Sequence, residues 1–333
     1  TRKESSAASD VYKRQILAVI ALLAVSVIVF INQASFGRTP RGERLERVMK
    51  SPNYRNGEFK NQHETLLMTS DRGRFSGIWE FIFRKIDGLR PEQAVKAIKT
   101  DLRKIGRNEE ILVWFGHSSY LIQTGGKRIL VDPVFCMASP VSFVNKPFKG
   151  TELYTPDDMP DIDYLVISHD HWDHLDYNTV KKLKDRIGAV ICPLGVGEHF
   201  EYWGFDKERL IELDWNEDAN LAPGFMIHCL PARHFSGRRL TANQSLWASF
   251  LLEAPSQKIY IGGDGGYDTH YAEIGNRFPG IDLAILENGQ YNEEWSLIHL
   301  MPQYMAQTAR DLKAKRVLTV HPVSYTHLRA HET

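Results

Sequence analysis

The sequence predicts an α/β protein in which two β-sheets pack face to face and helices cover both outer surfaces. Short runs rich in β-branched and aromatic residues recur between residues 111 and 321, and helical patterns separate several of them. The chain of 333 residues is long enough for one such domain of about 200 to 250 residues with an extension. Hydrophobic residues make up 43% and charged residues 25%, a composition that supports a stable core. Many strands with helices between and outside them are typical of a layered α/β sandwich.

An apolar segment precedes this domain. Residues 16–31, ILAVIALLAVSVIVFI, contain no charge and are slightly fewer than the roughly 20 that cross a bilayer as a helix. We interpret them as a membrane anchor or the apolar region of a signal sequence, because a buried core helix is seldom apolar on all sides. The basic pair Lys13 and Arg14 favours export of the following domain to the periplasm or cell envelope, with the cytoplasmic side of the membrane as the alternative.

The two ends of the chain resemble translated sequencing-adaptor sequence. They read SSAASDVYKRQ at 5–15 and VSYTHLRAHET at 323–333. We therefore expect residues 1–15 and 323–333 to be artefactual tails, and we exclude His327 and His331 from any set of ligands.

Residues 32–108 form a predicted linker and N-terminal arm. The first part, 32–75, is polar and rich in Arg, Asn, Gly and Pro, without sustained apolar periodicity. Pro91 suits the first turn of a helix, so the run PEQAVKAIKTDLRKI at 91–105 predicts a helix.

Charge and cysteine content disfavour two classes of function. The 41 basic and 41 acidic residues give a formal net charge of zero, which offers no broad positive field for DNA or RNA. We therefore expect no nucleic-acid partner. Cys136, Cys192 and Cys229 lie far apart without C-x-x-C spacing, which favours buried small side chains over a zinc knuckle or a redox pair.

The predicted sheets begin at residue 111. The runs 111–123 and 128–135 flank a Gly-containing turn and predict a hairpin. Further strand-like runs lie at 163–168, 189–193, 209–213, 225–230, 245–253, 258–263, 282–287 and 316–321. Helical patterns lie at 177–186, 195–203, 268–276 and 302–314. The predicted sandwich domain occupies residues 109–322.

One loop of this domain concentrates metal-binding side chains. The segment ISHDHWDHLDY at 167–177 follows a predicted strand and contains His169, His171, Asp173 and His174. His169 and His171 alternate along an extended segment and so lie on one side of it, whereas Asp173 and His174 lie where the chain turns toward the next helix. One short loop can therefore supply ligands to two metal ions. Imidazole and carboxylate ligands suit Zn²⁺.

This segment resembles the H-x-H-x-D-H signature of the metallo-β-lactamase superfamily, and later residues match the partners of that family in the same order. His234 in PARHFSGR matches the third histidine of the first metal site, and His321 at the end of RVLTVH matches the last histidine of the second. Asp264 in YIGGDGGY matches the bridging aspartate, and its flanking glycines would let the backbone approach the metals closely. The resemblance implies an αββα sandwich with two zinc ions. One ion would be held by His169, His171 and His234, the other by Asp173, His174 and His321, with Asp264 bridging them.

Three further segments resemble the branch that contains N-acyl-phosphatidylethanolamine phospholipase D and ascorbate-6-phosphate lactonase. They are WFGHSSYLI at 114–122, ILVDPVF at 129–135 and IHLMP at 298–302. This branch implies that Asp132 orients a ligating histidine, with a turn-forming aspartate as the alternative. It also implies that His117 and His299 lie near the substrate, His299 as a phosphate contact or proton donor, with a structural role as the alternative for both. The histidines in no motif have no predicted role: His63, His199, His228 and His270.

These expectations describe a hydrolase in which two zinc ions activate a bridging water as hydroxide while Asp173 and Asp264 orient it. The first candidate substrate is a phosphodiester of a membrane lipid, such as an N-acyl-phosphatidylethanolamine, because residues 16–31 would hold the site near a bilayer. A lactone or a small phosphate ester is the alternative. An iron-dependent oxygen or nitric oxide reductase is disfavoured, since such sites favour a carboxylate at the position of His171. A non-catalytic metal-binding protein would not need seven converging ligands.

Overall fold

The computed structural model describes residues 2–69, 91–141, 147–288 and 292–321, with side chains described from residue 10 onward. The helices are α1 Arg2–Ile31, α2 Gly42–Lys50, α3 Tyr177–Leu183, α4 Gly197–Tyr202, α5 His270–Arg277 and α6 Pro302–Asp311. The strands of the first half are β1 Tyr54–Arg55, β2 Glu58–Phe59, β3 Ile111–Gly116, β4 Ser119–Thr124, β5 Lys127–Val131, β6 Ile162–Val166 and β7 Ile187–Pro193. The remaining strands are β8 Leu210–Leu213, β9 Asp218–Ala222, β10 Phe225–Leu230, β11 Ser249–Glu253, β12 Lys258–Ile261, β13 Leu283–Glu287 and β14 Val317–Val320.

Twelve of these strands form two six-stranded mixed sheets. The first sheet has the order β3-β4-β5-β6-β7-β8 and the second the order β14-β13-β12-β11-β10-β9. Strands β5 to β8 are mutually parallel, and so are β12 to β14. Because the carboxyl ends of parallel strands meet at one edge of a sheet, the loops that follow these strands lie together at that edge.

The core confirms the predicted αββα sandwich. Along β5, Ile129 and Val131 pack between the two sheets, whereas Leu130 points to the opposite face and packs with helices α3 and α4. In the second sheet, Tyr260 points away from the partner sheet and packs with α5. This alternation follows from the two-residue period of a strand. Each sheet therefore has one face on the other sheet and one face under helices.

Two predicted elements differ from the structure. The run 111–123 is two strands, because the chain reverses at His117, whose φ of 47° lies in the left-handed region. The helix predicted at 91–105 is wrong. Residues 91–101 contain no helix, and only Leu102–Lys104 forms a short 3₁₀ turn. Tertiary pairing overrides local propensity here, since Val95 N donates to Lys149 O at 2.8 Å and the Leu102 side chain is buried.

The N-terminal arm packs against the sandwich. Val48 of α2 and Phe59 of β2 are fully buried in the core between the sheets. The buried Arg44 donates to Glu198 at 2.7 Å and to Glu212 at 2.6 Å, which joins α2 to α4 and β8. Residues 42–59 therefore contribute both apolar contacts and ion pairs to the folded domain.

Helix α1 has a different character from the rest of the fold. The span Asp10–Ile31 is 22 residues long with a mean hydropathy of 2.5, and none of it is buried against the domain. Its length and composition are those of a membrane span or of a signal sequence. It contributes little to the stability of the sandwich, because, of its described side chains, only Phe30 and Ile31 at its end are partly buried.

Truncation of Phe59 tests whether the arm belongs to the cooperative domain. We expect Phe59→Ala to lower the free energy of unfolding by about 3 to 5 kcal/mol, the usual cost of emptying a fully buried aromatic site. Met49→Ala, on the same arm but 56% exposed, is the control and should cost less than about 0.5 kcal/mol. Urea unfolding followed by circular dichroism measures both variants. Equal small losses would mean that the arm does not fold with the sandwich.

Candidate metal centre

The residues predicted to carry chemistry converge on one edge of the sandwich. Asp132 follows β5 and His169 follows β6 in the first sheet, while Asp264 follows β12 and His321 follows β14 in the second. His234 follows β10, which runs in the same direction as β12 because both pair antiparallel to β11. The two packed sheets thus bring distant parts of the chain to a common edge.

The backbone at this edge is strained in three places. The φ values are 47° at His117, 40° at Asp132 and 64° at His321, in a region that residues other than glycine rarely adopt. Hydrogen bonds hold these positions, since His321 N donates to His117 O at 2.8 Å and Asp132 N donates to Val166 O of β6 at 3.0 Å. Strain of this kind is usually found where a side chain must be aimed at a functional site.

Three histidines form the first group of possible ligands. His171 Nδ1 lies 2.9 Å from His169 Nε2 and 3.3 Å from His234 Nε2. One nitrogen atom of each ring lies within 4.8 Å of the others, as metal coordination requires. His169 and His234 are buried, and the ring of Phe235 packs on His171 at 4.3 Å between centroids.

A second group lies beside the first. It contains Asp173, His174 and His321, and the structure adds His117 to them within the same 4.8 Å limit. His117 Nε2 lies 3.1 Å from Asp173 Oδ2, and the ring of His117 packs on that of His321 at 3.9 Å between centroids. The sequence placed His117 only near the substrate, whereas the structure places it among the candidate ligands.

Asp264 lies between the two groups. Its Oδ2 atom is 3.2 Å from both His174 Nε2 and His321 Nε2, and 4.0 Å from His234 Nε2. Among the described residues, Asp264, His174 and His321 have four buried atoms without a partner in hydrogen-bond geometry: Asp264 Oδ1, His174 Nε2, His321 Nδ1 and His321 Nε2. Unsatisfied buried polar atoms are costly, and a metal ion would satisfy them. The donor set and its unsatisfied atoms therefore fit bound cations.

The electrostatics of the centre also favour cations. Burial lowers the pKa of His169 and of His234 well below the usual value, which leaves both imidazoles neutral, as metal ligands must be. Burial by itself would raise the pKa of Asp264, but the imidazoles of His174 and His321 hold it well below its usual range. Burial likewise opposes charge on His321, yet the Asp264 carboxylate raises its pKa to about 9. Without metal, protons on His174 and His321 thus stabilise the Asp264 carboxylate.

Comparison with known proteins identifies the family. Residues 127–322 match the family model described as a beta-lactamase superfamily domain. The chain belongs to this superfamily. An uncharacterized protein of Mycobacterium bovis is 37% identical over 269 residues, which cover 79% of this chain and 71% of that protein.

Two further comparisons relate the superfamily domain to named proteins. The N-acyl-phosphatidylethanolamine-hydrolyzing phospholipase D 1 of Caenorhabditis elegans is 29% identical over 229 residues, covering 64% of this chain and 63% of that protein. A metallo hydrolase from Ignicoccus hospitalis superposes with a TM-score of 0.52 at 20% identity, covering 66% of this chain and 85% of the other. The structural likeness confirms the metallo-β-lactamase fold, and the chain is a metal-dependent hydrolase of this superfamily.

Residues behind the candidate ligands fix their orientation, as superfamily metal sites require. Asp132 accepts hydrogen bonds from Ser168 N at 2.8 Å and Ser168 Oγ at 2.6 Å, and its Oδ2 lies 2.9 Å from His174 Nδ1. His234 Nδ1 lies 2.7 Å from the carbonyl oxygen of Ile298, which favours the tautomer that leaves Nε2 facing His171. Asp132 therefore orients a histidine in the way that the family resemblance implied.

The glycines around Asp264 allow close packing with other segments of the chain. A Cβ atom on Gly263, whose φ is 61°, would lie 2.7 Å from Ser168 Cβ. A Cβ atom on Gly266 would lie 2.1 Å from Leu297 O. These contacts show that the glycines allow neighbouring backbone segments to approach the Asp264 loop.

Glu287 is a buried residue of the centre that sequence reasoning missed. At the end of β13 its carboxylate accepts hydrogen bonds from Leu300 N at 2.9 Å and Gly265 N at 3.0 Å. His299 Nδ1 lies 2.8 Å from Glu287 Oε1 and 3.8 Å from Asp264 Oδ2. The only signal in the sequence was a charge at the end of the apolar run LAIL. Glu287 connects the Asp264 loop to the loop that carries His299.

The two groups of ligands predict close to two bound transition-metal ions per chain, because seven nitrogen and oxygen donors exceed the needs of one tetrahedral ion. Elemental analysis after dialysis against zinc measures the ratio.

Asp264→Ala should weaken metal binding by more than about 100-fold, above the range known for residues that only support a ligand. Asp185→Ala, an exposed aspartate at the opposite edge of the sheet, should bind metal as the wild type does. Two ions in both variants would contradict a bridging role for Asp264.

Proposed function

We propose that the protein is a dinuclear zinc hydrolase that cleaves a phosphodiester, with an N-acyl-phosphatidylethanolamine-type membrane lipid as the first candidate substrate. One observation carries this proposal: two groups of buried histidine and aspartate side chains share the carboxylate of Asp264. Imidazole and carboxylate without thiolate suit zinc, and sites that hold two such ions are common among enzymes of phosphate-ester chemistry.

The residues of the centre have separate roles in this proposal. His169, His171 and His234 would hold one ion and Asp173, His174 and His321 the other, with Asp264 between them. Bound together, two zinc ions lower the pKa of water toward 7, so that hydroxide is available at neutral pH. The anionic Asp173 and Asp264 accept hydrogen bonds from the attacking water and so fix its orientation. Because hydroxide is already available at neutral pH, the reaction needs no side chain with a raised pKa to act as general base.

His299 is the proposed proton donor to the leaving oxygen. Its Nδ1 atom faces the Glu287 carboxylate, which favours the tautomer with the proton on Nδ1 and leaves Nε2 for the substrate. When a proton is bound at both nitrogens, Glu287 stabilises the imidazolium and Nε2 can donate to the developing alkoxide. Since His299 Nδ1 lies 3.8 Å from Asp264 Oδ2, the imidazole ring borders the metal centre.

Two observations support a lipid as the substrate. The C. elegans relative is named for hydrolysis of N-acyl-phosphatidylethanolamine. In addition, helix α1 has the length and composition to hold the domain at a bilayer, so membrane attachment through residues 16–31 is part of this proposal. The headgroup would then reach the centre while the acyl chains stay in the membrane.

A small lactone or phosphate ester is the second candidate substrate. A cavity of about 160 Å³ lies beside His117, lined in part by Phe115, Phe135 and Met137. This volume is smaller than the roughly 300 to 1,000 Å³ usual for ligand pockets, which favours a compact substrate or the headgroup of a larger one.

The substrate classes are separated by one assay series on the zinc-loaded full chain. Vesicles containing an N-acyl-phosphatidylethanolamine, soluble bis(p-nitrophenyl) phosphate and a simple lactone are offered in parallel. We expect turnover of both phosphodiesters, with phosphatidic acid released from the lipid. Hydrolysis of the lactone alone would favour the second candidate, and no turnover by protein with two bound ions would favour a metal-binding role without catalysis.

Removal of residues 1–31 tests the role of helix α1. We expect the shortened protein to hydrolyse bis(p-nitrophenyl) phosphate with kcat/KM within about twofold of the full chain, because only Phe30 and Ile31 at the end of α1 are partly buried among the side chains described for it. Turnover of the vesicle substrate should fall at least about tenfold, since the enzyme is no longer concentrated at the bilayer. A well-folded shortened protein that failed on the soluble substrate would show that α1 takes part in the chemistry.

Glu287→Gln tests the orientation of His299. The variant keeps an oxygen for Leu300 N but loses the charge that stabilises the imidazolium, so we expect kcat/KM to fall about 10- to 100-fold with unchanged metal content. If the two residues act as a pair, Glu287→Gln combined with His299→Ala should be no worse than His299→Ala alone. Glu253→Gln, at the far edge of the same sheet, is the control. Additive losses in the double variant would contradict the pairing.

A further inference from the structure

The metal loop, residues 169–174, contains two residues that are not candidate ligands. Asp170 and Trp172 alternate with the ligands and point away from them. A short segment that follows helix α1, residues 34–38, packs on Trp172 directly and is linked to Asp170 through His199; we call this segment the strap. The strap includes the 3₁₀ turn Ala34–Phe36. Nothing in the sequence motif indicated that the region after the apolar helix reaches this loop.

Arg238 is the main link between the strap and the metal loop. It is buried, and its guanidinium donates from Nε to Ser35 O at 2.8 Å. Its Nη1 atom donates to Asp170 O at 3.2 Å and to Leu175 O at 2.6 Å. These two carbonyls bracket the three ligands that follow His169. One planar side chain therefore fixes the backbone on both sides of the loop.

Aromatic contacts strengthen the same link. The Arg238 guanidinium carbon lies 4.1 Å from the centre of the Trp172 ring, in cation–π geometry. Phe36 of the strap packs edge-on against Trp172 at 4.9 Å between centroids, and against Phe30 of α1 at 5.3 Å. Trp172 thus lies between a buried cation and an aromatic side chain of the strap.

The Asp170 carboxylate forms a third connection. It accepts from Gly237 N at 2.8 Å and from Ser245 Oγ at 2.9 Å, and lies 3.1 Å from His199 Nε2. His199 Nδ1 in turn accepts from Arg38 N of the strap at 3.0 Å. A Cβ atom on Gly37 would lie 2.0 Å from His199 Nδ1, so the strap passes as close to this ring as a backbone can. His199, which had no predicted role, joins the strap to the loop.

We propose that Arg238 and the strap are positioning elements for the metal loop, so that the segment leaving helix α1 is part of the support of the metal centre. The inference rests on the proposed function, because it takes residues 169–174 to be the source of four ligands. A six-residue loop has too few internal contacts to hold four ligands within the narrow tolerance of a metal site. The contacts from the strap and Arg238 restrict the loop at Asp170, Trp172 and Leu175.

The test measures zinc affinity of the full chain by competition with a chelator, together with the visible spectrum of the cobalt-substituted protein. We expect Arg238→Ala to weaken zinc binding about 10- to 100-fold, the range for residues that orient ligands. The cobalt bands should shift, because the geometry around the ion changes. Wild-type affinity and an unchanged spectrum in Arg238→Ala would overturn the proposal.

Two arginine controls separate positioning from general stability. Arg239→Ala removes a hydrogen bond to the strap, from Nη1 to Gly37 O at 2.8 Å, in a side chain with no hydrogen bond to the loop in the described structure. Arg186→Ala removes two bonds to backbone carbonyls, of Met159 and Pro156, at the opposite edge of the sheet. Arg186→Ala should keep wild-type zinc affinity even where the melting temperature falls, whereas Arg239→Ala, which releases one contact of the strap, should weaken zinc binding less than Arg238→Ala does. Equal weakening in Arg186→Ala would mean that any loss of stability loosens the metals.

A second pair of variants covers the case in which Arg238→Ala does not fold. Phe36→Ala should weaken zinc binding and shift the cobalt bands, whereas Phe36→Leu, which keeps apolar contact with Trp172, should restore most of the affinity. Identical zinc affinities of Phe36→Ala and the wild type would overturn the role of the strap. A wild-type chain that bound no metal would instead refute the proposed function, so the two failures are distinguishable.

Discussion

The structure depends on one constraint: the carboxylate of Asp264 is charged and buried in the middle of a group of imidazoles. An isolated buried charge is among the most unfavourable features that a protein can contain. Here His174 and His321 each lie 3.2 Å from the carboxylate, and their protonation compensates its charge when no cation is bound. Cations would replace these protons and satisfy the remaining buried atoms. The same arrangement thus explains the raised pKa of His321, the unsatisfied Asp264 oxygen and the affinity proposed for metal.

Each sheet alone carries only some residues of the metal centre, so the arrangement depends on the packing of the two sheets. The first sheet brings Asp132 and the metal loop to its edge, and the second brings Asp264, Glu287 and His321. The core between the sheets fixes the distance between the two halves, since close-packed side chains leave little freedom for sliding. The N-terminal arm adds Phe59 to this core, so a segment that reads as a polar linker supports the geometry of the centre.

Local and repeated signals in the sequence predicted most of the sheets and the candidate site. The metal loop was recognisable because four ligand-type residues lie within six positions. His234, Asp264 and His321 were assigned through the family resemblance, supported by the place of each after a strand-like run. Strand β9, and helix α2 with strands β1 and β2 of the predicted arm, were missed because their short, mostly polar sequences fold only through contacts with the rest of the domain. The false helix at 91–105 had good local propensity, but its backbone pairs with residue 149 instead. Glu287 and Arg238 act through partners distant in the chain, which one sequence cannot reveal.

The central claim is that two ions share Asp264, and anomalous diffraction from zinc-loaded crystals tests it most directly. Data collected at the zinc absorption edge should show two peaks. We expect one peak among His169, His171 and His234 and the other among Asp173, His174 and His321, with the Asp264 carboxylate in contact with both. A single peak, or two peaks of which neither touches Asp264, would contradict the account.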